Sequence, residues 1–380
     1  MLRFLTAGDS HGEALLGILE GYPSRIPIDE ESINRDLARR QSGYGRSDRM
    51  RIAIDRVRIV SGVWKGISTG SPIGLIIENK AGRKGGDLPA QLGSVPRPGH
   101  ADLAGSLKYG FKDVSPVSER ASARETAMRV AIGSLCKLLL EPLSIKLFSH
   151  VIQIGNVASP PYERLSAKQR LRVERSPVRC SNIAAEKSML RRIDLARKRG
   201  DSLGGEVETV VLNVPPGLGS YAHYDTRLDA RIALAVMSIP SVKAIEIGSG
   251  IEESRLPGSQ VQDEMFLTRN NSVRRRTNNA GGIEGGVSNG EPVVVRAFVK
   301  PLPTIRKSLR SFDMRVLRSS RAPFVRSDTC VVPAVAAIAE AMVAFEIARA
   351  VTEKFGGDSL NETKRNFASY LRTGGRGLSS

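Results

Sequence analysis

The sequence predicts an α+β fold. Segments of strand character lie along the whole chain rather than in one block, and the helical segments between them follow no regular strand-helix alternation. A dinucleotide-binding fold is excluded, because no early strand, G-x-G-x-x-G turn, helix and later acidic residue occur in that order.

Runs of β-branched residues place strands at 51–63, 72–77, 145–157, 206–214, 242–247 and 292–299, with one further short candidate at the N-terminus. Apolar residues at helical spacing place helices at 29–40, ended by Gly43; at 122–140; at 185–199, closed by Gly200; at 226–237; and at 333–354, closed by Gly356. The second helix opens on Ser122-Ala123-Arg124-Glu125, a capping box in which Glu125 reaches back to the start. The apolar stretch 331–350 is interrupted by Glu340, Glu346 and Arg349, so it reads as a buried helix and not a membrane span. The basic stretch 305–326 has weak patterning and reads as a long functional loop.

With 41% hydrophobic and 25% charged side chains, 380 residues can bury a full core, which argues against disorder. No linker or repeat divides the chain, so residues 1–380 read as a single domain. Lys and Arg number 57 against 39 Asp and Glu, a net charge of +18, so whatever this surface attracts carries negative charge. Nucleic acid fits poorly, because the basic residues are interleaved with acids and aromatics make up only 5%. Three widely spaced cysteines, Cys136, Cys180 and Cys330, suggest neither a disulfide framework nor a metal site, and fit a reducing compartment. The chain runs from Met1 straight into Gly8-Asp9-Ser10-His11-Gly12, with no room for a signal sequence.

Of four histidines, His11 and His100 sit among glycines, which allow close approach to a ligand, whereas His150 and His223 read as structural. Gly8-Asp9-Ser10-His11-Gly12 also matches a nucleophile elbow with Ser10 as nucleophile, but it lies too early in the chain for that fold. Gly200-Asp201-Ser202-Leu203-Gly204-Gly205 reads as a helix end and turn. Arg120 and Arg124 flank a helix start suited to phosphate, and Arg39, Arg40, Arg46, Arg49 and Arg51 surround a flexible Gly43-Tyr44-Gly45 turn that can fold guanidinium groups around an anion. Residues 278–286 and 300–304 offer backbone amides to a flat polyanionic cofactor, and Asp328 is a helix-start anchor or a proton acceptor.

Taken in order, Gly-Asp-Ser-His-Gly, Arg-Arg-Gln-Ser-Gly-Tyr-Gly-Arg, Arg-Pro-Gly-His-Ala-Asp, Arg-Ala-Ser-Ala-Arg-Glu-Thr-Ala, Asn-Asn-Ala-Gly-Gly-Ile-Glu-Gly-Gly, Lys-Pro-Leu-Pro-Thr and Arg-Ser-Asp-Thr-Cys resemble the chorismate synthase family, over residues 3 to about 350. The resemblance implies a helical layer sandwiched between two antiparallel β-sheets, and the anti-1,4 elimination of phosphate from 5-enolpyruvylshikimate 3-phosphate to give chorismate. It further implies reduced FMN as cofactor, NADPH as a source of reducing power through an external flavin reductase, a homotetramer, a cytoplasmic location, and no nucleic acid, membrane or metal.

By the same resemblance, His11 acts on the departing phosphate, His100 supplies a proton to the reduced flavin, and Asp328 helps the flavin accept the ring proton. FMN contacts carry over to Arg120, Ala121, Ser122, Pro240, Ser241, Gly285, Lys300, Pro301, Leu302, Pro303, Thr304 and Arg326, and NADP or substrate-anion contacts to Arg40 and Arg46. Four positions depart from the family pattern: Asp9 stands for the usual Glu, a shorter carboxylate expected beside His11; Ala121 for Ser; Asn279 for His; and Ser42 for Pro or Lys.

Overall fold

The computed structural model describes residues 1–46, 54–79, 93–269, 273–324 and 327–373. Two antiparallel sheets enclose a layer of helices. The first sheet contains β1 (Arg3–Ala7), β2 (Ala14–Glu20), β3 (Val57–Ser61) and β4 (Ile73–Glu78) in the order β1-β2-β4-β3. The second contains β5 (Lys146–Ile154), β6 (Val157–Ala158), β7 (Gly205–Leu212), β8 (Val242–Ile247) and β9 (Val293–Val299) in the order β8-β9-β7-β5-β6. The main helices are α1 (Glu30–Gln41), α2 (Asp102–Tyr109), α3 (Ser115–Ala121), α4 (Thr126–Leu140), α5 (Ile183–Lys198), α6 (Leu228–Met237), α7 (Val332–Phe355) and α8 (Leu360–Thr373); three further short ones are Ala167–Val173, Gly250–Glu253 and Gly258–Val261.

The two central helices explain the sandwich. α4 lies against the first sheet, α7 against β5 and β7 of the second, and the two pack on each other. Almost every side of α7 is apolar and buried, as a helix between two layers requires. Small residues let the layers close: a Cβ on Gly133 of α4 would strike Ala341 of α7, and one on Gly17 of β2 would strike the Met128 side chain. The second sheet turns Val207, Val211, Val295 and Ala297 into the core. On its other face, Glu246, Arg296, Glu208 and His150 form a row directly opposed across four strands, which gives each buried charge a neighbour of opposite sign.

Most expected elements appear within a few residues of their expected bounds, with three differences. Residues 51–53 of the first expected strand lie outside the described residues, and the strand itself is Val57–Ser61. The helix expected from residue 122 opens as a 3-10 turn at Ala123–Glu125; Ser122 Oγ accepts from the Arg124 N–H at 3.3 Å, but Glu125 accepts from Thr6 Oγ1 at 2.8 Å and from Arg129 instead of reaching back. The basic stretch after residue 305 is no irregular loop, since Arg310–Asp313 and Arg318–Arg321 form an antiparallel hairpin.

Glu346 of α7 is 6% exposed. Burial raises its carboxyl to about 7, against the pull of Arg349 and Arg231 and with Glu353 pushing further upward. The fold therefore holds this proton more tightly than the unfolded chain does. The stability it contributes is complete below the ordinary carboxylate value of 4.5 and is lost as pH rises through about 7. Glu346→Gln should accordingly lose less stability than the wild type between about pH 5 and pH 8, by up to about 3 kcal/mol in urea denaturation. Equal pH dependence in the two proteins would contradict this.

Candidate active site

The His11 loop begins where β1 ends. Gly8 turns it with φ 110, and a Cβ there would strike the Ala14 carbonyl, so only glycine closes the turn. The loop is then fastened to α3: Ser10 N–H donates to the Glu119 carbonyl at 3.2 Å and His11 N–H to Glu119 Oε2 at 2.7 Å. His11 Nδ1 lies 2.7 Å from Glu119 Oε1. The carboxylate beside His11 is thus Glu119 and not the adjacent Asp9, whose side chain is exposed. Ser10 Oγ accepts from Ser122 Oγ at 3.1 Å, while the His11 Nδ1 contact goes to a carboxylate, so the nucleophile-elbow reading finds no support here.

His100 is held from the other side of α3. Its Nδ1 lies 2.6 Å from Asp102 Oδ1, and Asp102 is fully buried at the start of α2. Asp102 also accepts from Arg97 through the backbone N–H at 3.0 Å, Nε at 2.7 Å and Nη2 at 2.9 Å. Burial alone would raise the Asp102 carboxyl, but the bonds from Arg97 and His100 outweigh it and hold the group well below the usual carboxylate range. Arg97 further donates to Ser118 Oγ at 2.7 Å and to Thr304 Oγ1 at 3.3 Å. Ser118 and Glu119, adjacent on α3, therefore face the two histidine sites.

From Thr304 the connections reach a cavity, and a second chain of contacts leads from Arg40 back to the His11 loop. Thr304 lines a cavity of about 820 Å³ together with Arg46, Asp328, Arg197, Arg306, Tyr44 and Phe324. Arg46 and Asp328 are paired at 3.0 Å. Arg40 is 4% exposed and donates to Thr126 Oγ1 at 3.0 Å, to the Ala123 carbonyl at 2.8 Å and to Asp55 at 3.4 Å. Burial lowers its guanidinium to about 9; Asp55 and Asp328 pull it upward, while Arg46 and Arg124 push it down, so it stays charged at neutral pH. Asp55 also accepts from Arg124 at 2.6 Å, Arg124 donates to Asn79 Oδ1 at 2.8 Å, and Asn79 Nδ2 donates to the carbonyls of Asp9 and Gly12 on either side of His11.

The remaining expected residues fall into place as follows. Lys300 N–H donates to the Ser241 carbonyl at 2.8 Å and Lys300 Nζ to the Gly99 carbonyl beside His100, which joins Pro240-Ser241 and 300–304 to the His100 loop. Pro303 packs at Gly99, and the Leu302 carbonyl accepts from Ser202 Oγ at 2.7 Å. Arg120, next to Ala121 at the end of α3, donates to the carbonyls of Thr6 and Gly8. Gly285 sits at the tip of a hairpin anchored to residues 219–228, and shares none of the contacts that join 300–304 to His100. Arg326, Arg49 and Arg51 lie outside the described residues.

Two sequence expectations are narrowed. Of the described arginines around Gly43-Tyr44-Gly45, Arg39 does not face the turn but pairs with Glu340 at 2.7 Å. Within 278–286 the amides of Asn279 and Ala280 donate to Asp263 and that of Gly282 to Asn278 Oδ1, and Asn279 Nδ2 donates to the Val261 carbonyl, so these three positions do not offer their amides to a ligand. Glu119, Asp55 and Asn79 were not singled out in the sequence; Arg97 and Asp102 carried a local signal as the two ends of the Arg-Pro-Gly-His-Ala-Asp motif.

A flat, partly apolar ligand with phosphate fits this lining. Arg197 lies over the Tyr44 ring at 5.1 Å and Arg306 over Phe324 at 5.7 Å, so the walls offer aromatic faces and cations together. Guanidinium groups around one cavity, whose Thr304 wall is joined through Arg97 to two imidazoles each backed by a carboxylate, are the equipment of an enzyme that binds an anionic small molecule and handles protons on it.

The family model described as chorismate synthase matches residues 2–352. Chorismate synthase of Desulforudis audaxviator (strain MP104C) is 52% identical over 380 residues, covering 98% of this chain and 97% of that protein. That of Pelobacter propionicus (strain DSM 2379 / NBRC 103807 / OttBd1) is 49% identical over 392 residues, covering 97% and 98%. A crystal structure of chorismate synthase superimposes with a TM-score of 0.80 at 39% identity, covering 98% of this chain and 97% of the other. The chain belongs to the chorismate synthase family. It is a carbon-oxygen lyase that releases phosphate from 5-enolpyruvylshikimate 3-phosphate to give chorismate, a reaction that requires reduced flavin.

Proposed function

We propose that the elimination takes place among His11, His100, Thr304, Arg46 and Asp328, with FMN as the flavin. The observation that carries this reading is a chain of contacts: it runs from His11 through Glu119 and the adjacent Ser118 to Arg97, which holds Asp102 and so His100, and from Arg97 to Thr304, in the wall of a cationic cavity that the paired Arg46 and Asp328 also line. FMN would be held by Lys300, Pro301, Leu302, Pro303 and Thr304, by Pro240 and Ser241, by Arg120, Ala121 and Ser122, and by Gly285 and Arg326. Bound reduced flavin supplies electron density as the allylic carbon-oxygen bond to phosphate weakens.

The chain's own residues bind, orient and move protons. Arg46 and Arg40 favour the substrate anions or the NADP phosphate, Arg46 at the cavity wall and Arg40 through charge from behind it. His11 would donate to the departing phosphate, His100 would supply a proton where the flavin binds, and Asp328, steadied by Arg46, would take part in removal of the ring proton. NADPH acts through an external flavin reductase.

The whole chain, 1–380, acts as one domain, which its single contiguous core from Leu2 to Phe367 supports. It assembles as a homotetramer in the cytoplasm. Leu5, Leu16, Ile18 and Val60, exposed on the outer face of the first sheet, support assembly, since such faces are commonly covered by a partner. Among the described residues no helix is long and apolar enough to cross a membrane. The purified chain, given reduced FMN and 5-enolpyruvylshikimate 3-phosphate without oxygen, should release chorismate and phosphate in equal amounts, while NADPH with oxidised FMN and no reductase should yield neither. Absence of product from folded, flavin-binding protein would refute the proposal.

A further inference from the structure

The two imidazole-carboxylate pairs differ. Asp102 divides its oxygens between His100 and three donors of Arg97, whose Nη2 also lies 3.2 Å from His100 Nδ1. Glu119 spends both oxygens on one residue: Oε2 accepts the His11 backbone N–H and Oε1 meets Nδ1, each at 2.7 Å. Among the described residues no Lys or Arg pairs with Glu119. The peptide plane and the ring of His11 are thereby fixed to the same rigid group, 108 positions away in sequence.

We propose that Glu119 is the positioning residue of this enzyme's proton chemistry. It clamps His11 at two points, keeps the proton on Nδ1, and so makes Nε2 the ring atom that works on the substrate. The inference rests on His11 acting in the reaction, as proposed above. A carboxylate suits the clamp because it accepts at both oxygens. Glutamine offers one acceptor and one donor, so its amide must either release the backbone N–H or face the ring with N–H and favour the proton on Nε2. Because Ser118 on the same turn holds Arg97, and Arg97 holds Asp102 and His100, α3 sets the orientation of both rings.

The test reads the tautomer directly, without cofactor. In protein carrying isotope-labelled histidine nitrogen, with His11 assigned through His11→Gln, ring-nitrogen NMR of the wild type should show Nδ1–H at His11. Glu119→Gln and Glu119→Ala should move that population toward Nε2–H. His223, exposed and paired with Asp225 through Nδ1, should stay unchanged in the same spectra. In turnover, both variants should lose about tenfold or more in kcat at nearly constant KM, part of the roughly 100-fold or greater worth of a positioned proton donor. Glu119→Asp, which keeps two acceptors, should recover more of the Nδ1–H signal than glutamine. Unchanged His11 resonances in Glu119→Gln and Glu119→Ala proteins of wild-type melting temperature would overturn the inference. A wild-type rate in His11→Ala would instead overturn the role of His11, so the two failures can be told apart.

Discussion

His11→Ala and His100→Ala are each expected to lower kcat by about 100-fold or more while the protein keeps its fold. Both rings sit on loops at the rim of the helical layer, partly exposed, so truncation removes little buried apolar surface. What it removes is a proton-carrying group held by a carboxylate against α3. His100→Ala should also free Nη2 of Arg97 from its ring neighbour and leave the Arg97-Asp102 pair intact, which predicts an unchanged melting temperature. The contrast residue is His223, exposed and paired with Asp225, whose alanine variant should turn over at the wild-type rate. Rates measured anaerobically with excess reduced FMN decide the matter; wild-type turnover in both active-site variants would reject the assignments.

Glu340→Ala should be the most damaging single change to stability, costing about 3 to 5 kcal/mol. This carboxylate of α7 is 2% exposed and accepts from Arg39 at 2.7 and 2.9 Å, from Lys137 at 2.9 Å and from Ser149 Oγ at 2.6 Å. One side chain thus joins α1, α4, α7 and β5, that is, three helices and a strand of the second sheet. Its removal takes from Arg39 and Lys137 their shared buried partner, leaving Asp36 between them and the half-exposed Glu174 on Arg39. Burial would raise the Glu340 carboxyl, yet Lys137 and Arg39 outweigh burial and hold it well below the carboxylate range. A depressed value means that this stability is present above the ordinary value of 4.5 and is lost as pH falls toward the folded value, so acid should erode the wild type more than Glu340→Gln. Urea denaturation at neutral pH that shows a loss of less than about 1 kcal/mol for Glu340→Ala would contradict the reading.

The sequence disclosed those elements whose burial pattern is regular. The strands of the second sheet and the helices α1, α4, α5, α6 and α7 announce themselves because one or all faces are apolar. β2 was hidden by Gly17, needed for contact with Met128, and its exposed Leu16 and Ile18 blur the alternation. The hairpin after residue 309 was hidden because it is mostly polar and basic on both sides.

At the site, local motifs marked His11, His100, Thr304 and Asp328, but not what holds them. The choice of Asp9 as the neighbour of His11 followed from adjacency, whereas the turn at Gly8 leaves Asp9 exposed and brings Glu119 in from α3. Likewise Arg39 and Arg40 are consecutive, yet helical geometry sends one to Glu340 of α7 and the other to Asp55 and Thr126. Contacts between residues a hundred positions apart follow from the packing of layers, which no short motif encodes.

The most direct measurement is an oxygen-free crystal structure of the protein with FMN and 5-enolpyruvylshikimate 3-phosphate. The flavin should rest against residues 300–304 within the cavity bounded by Arg46 and Asp328, with substrate stacked on it and the rings of His11 and His100 turned toward the pair. Flavin seated elsewhere, or the two histidines opening onto separate spaces, would contradict the account.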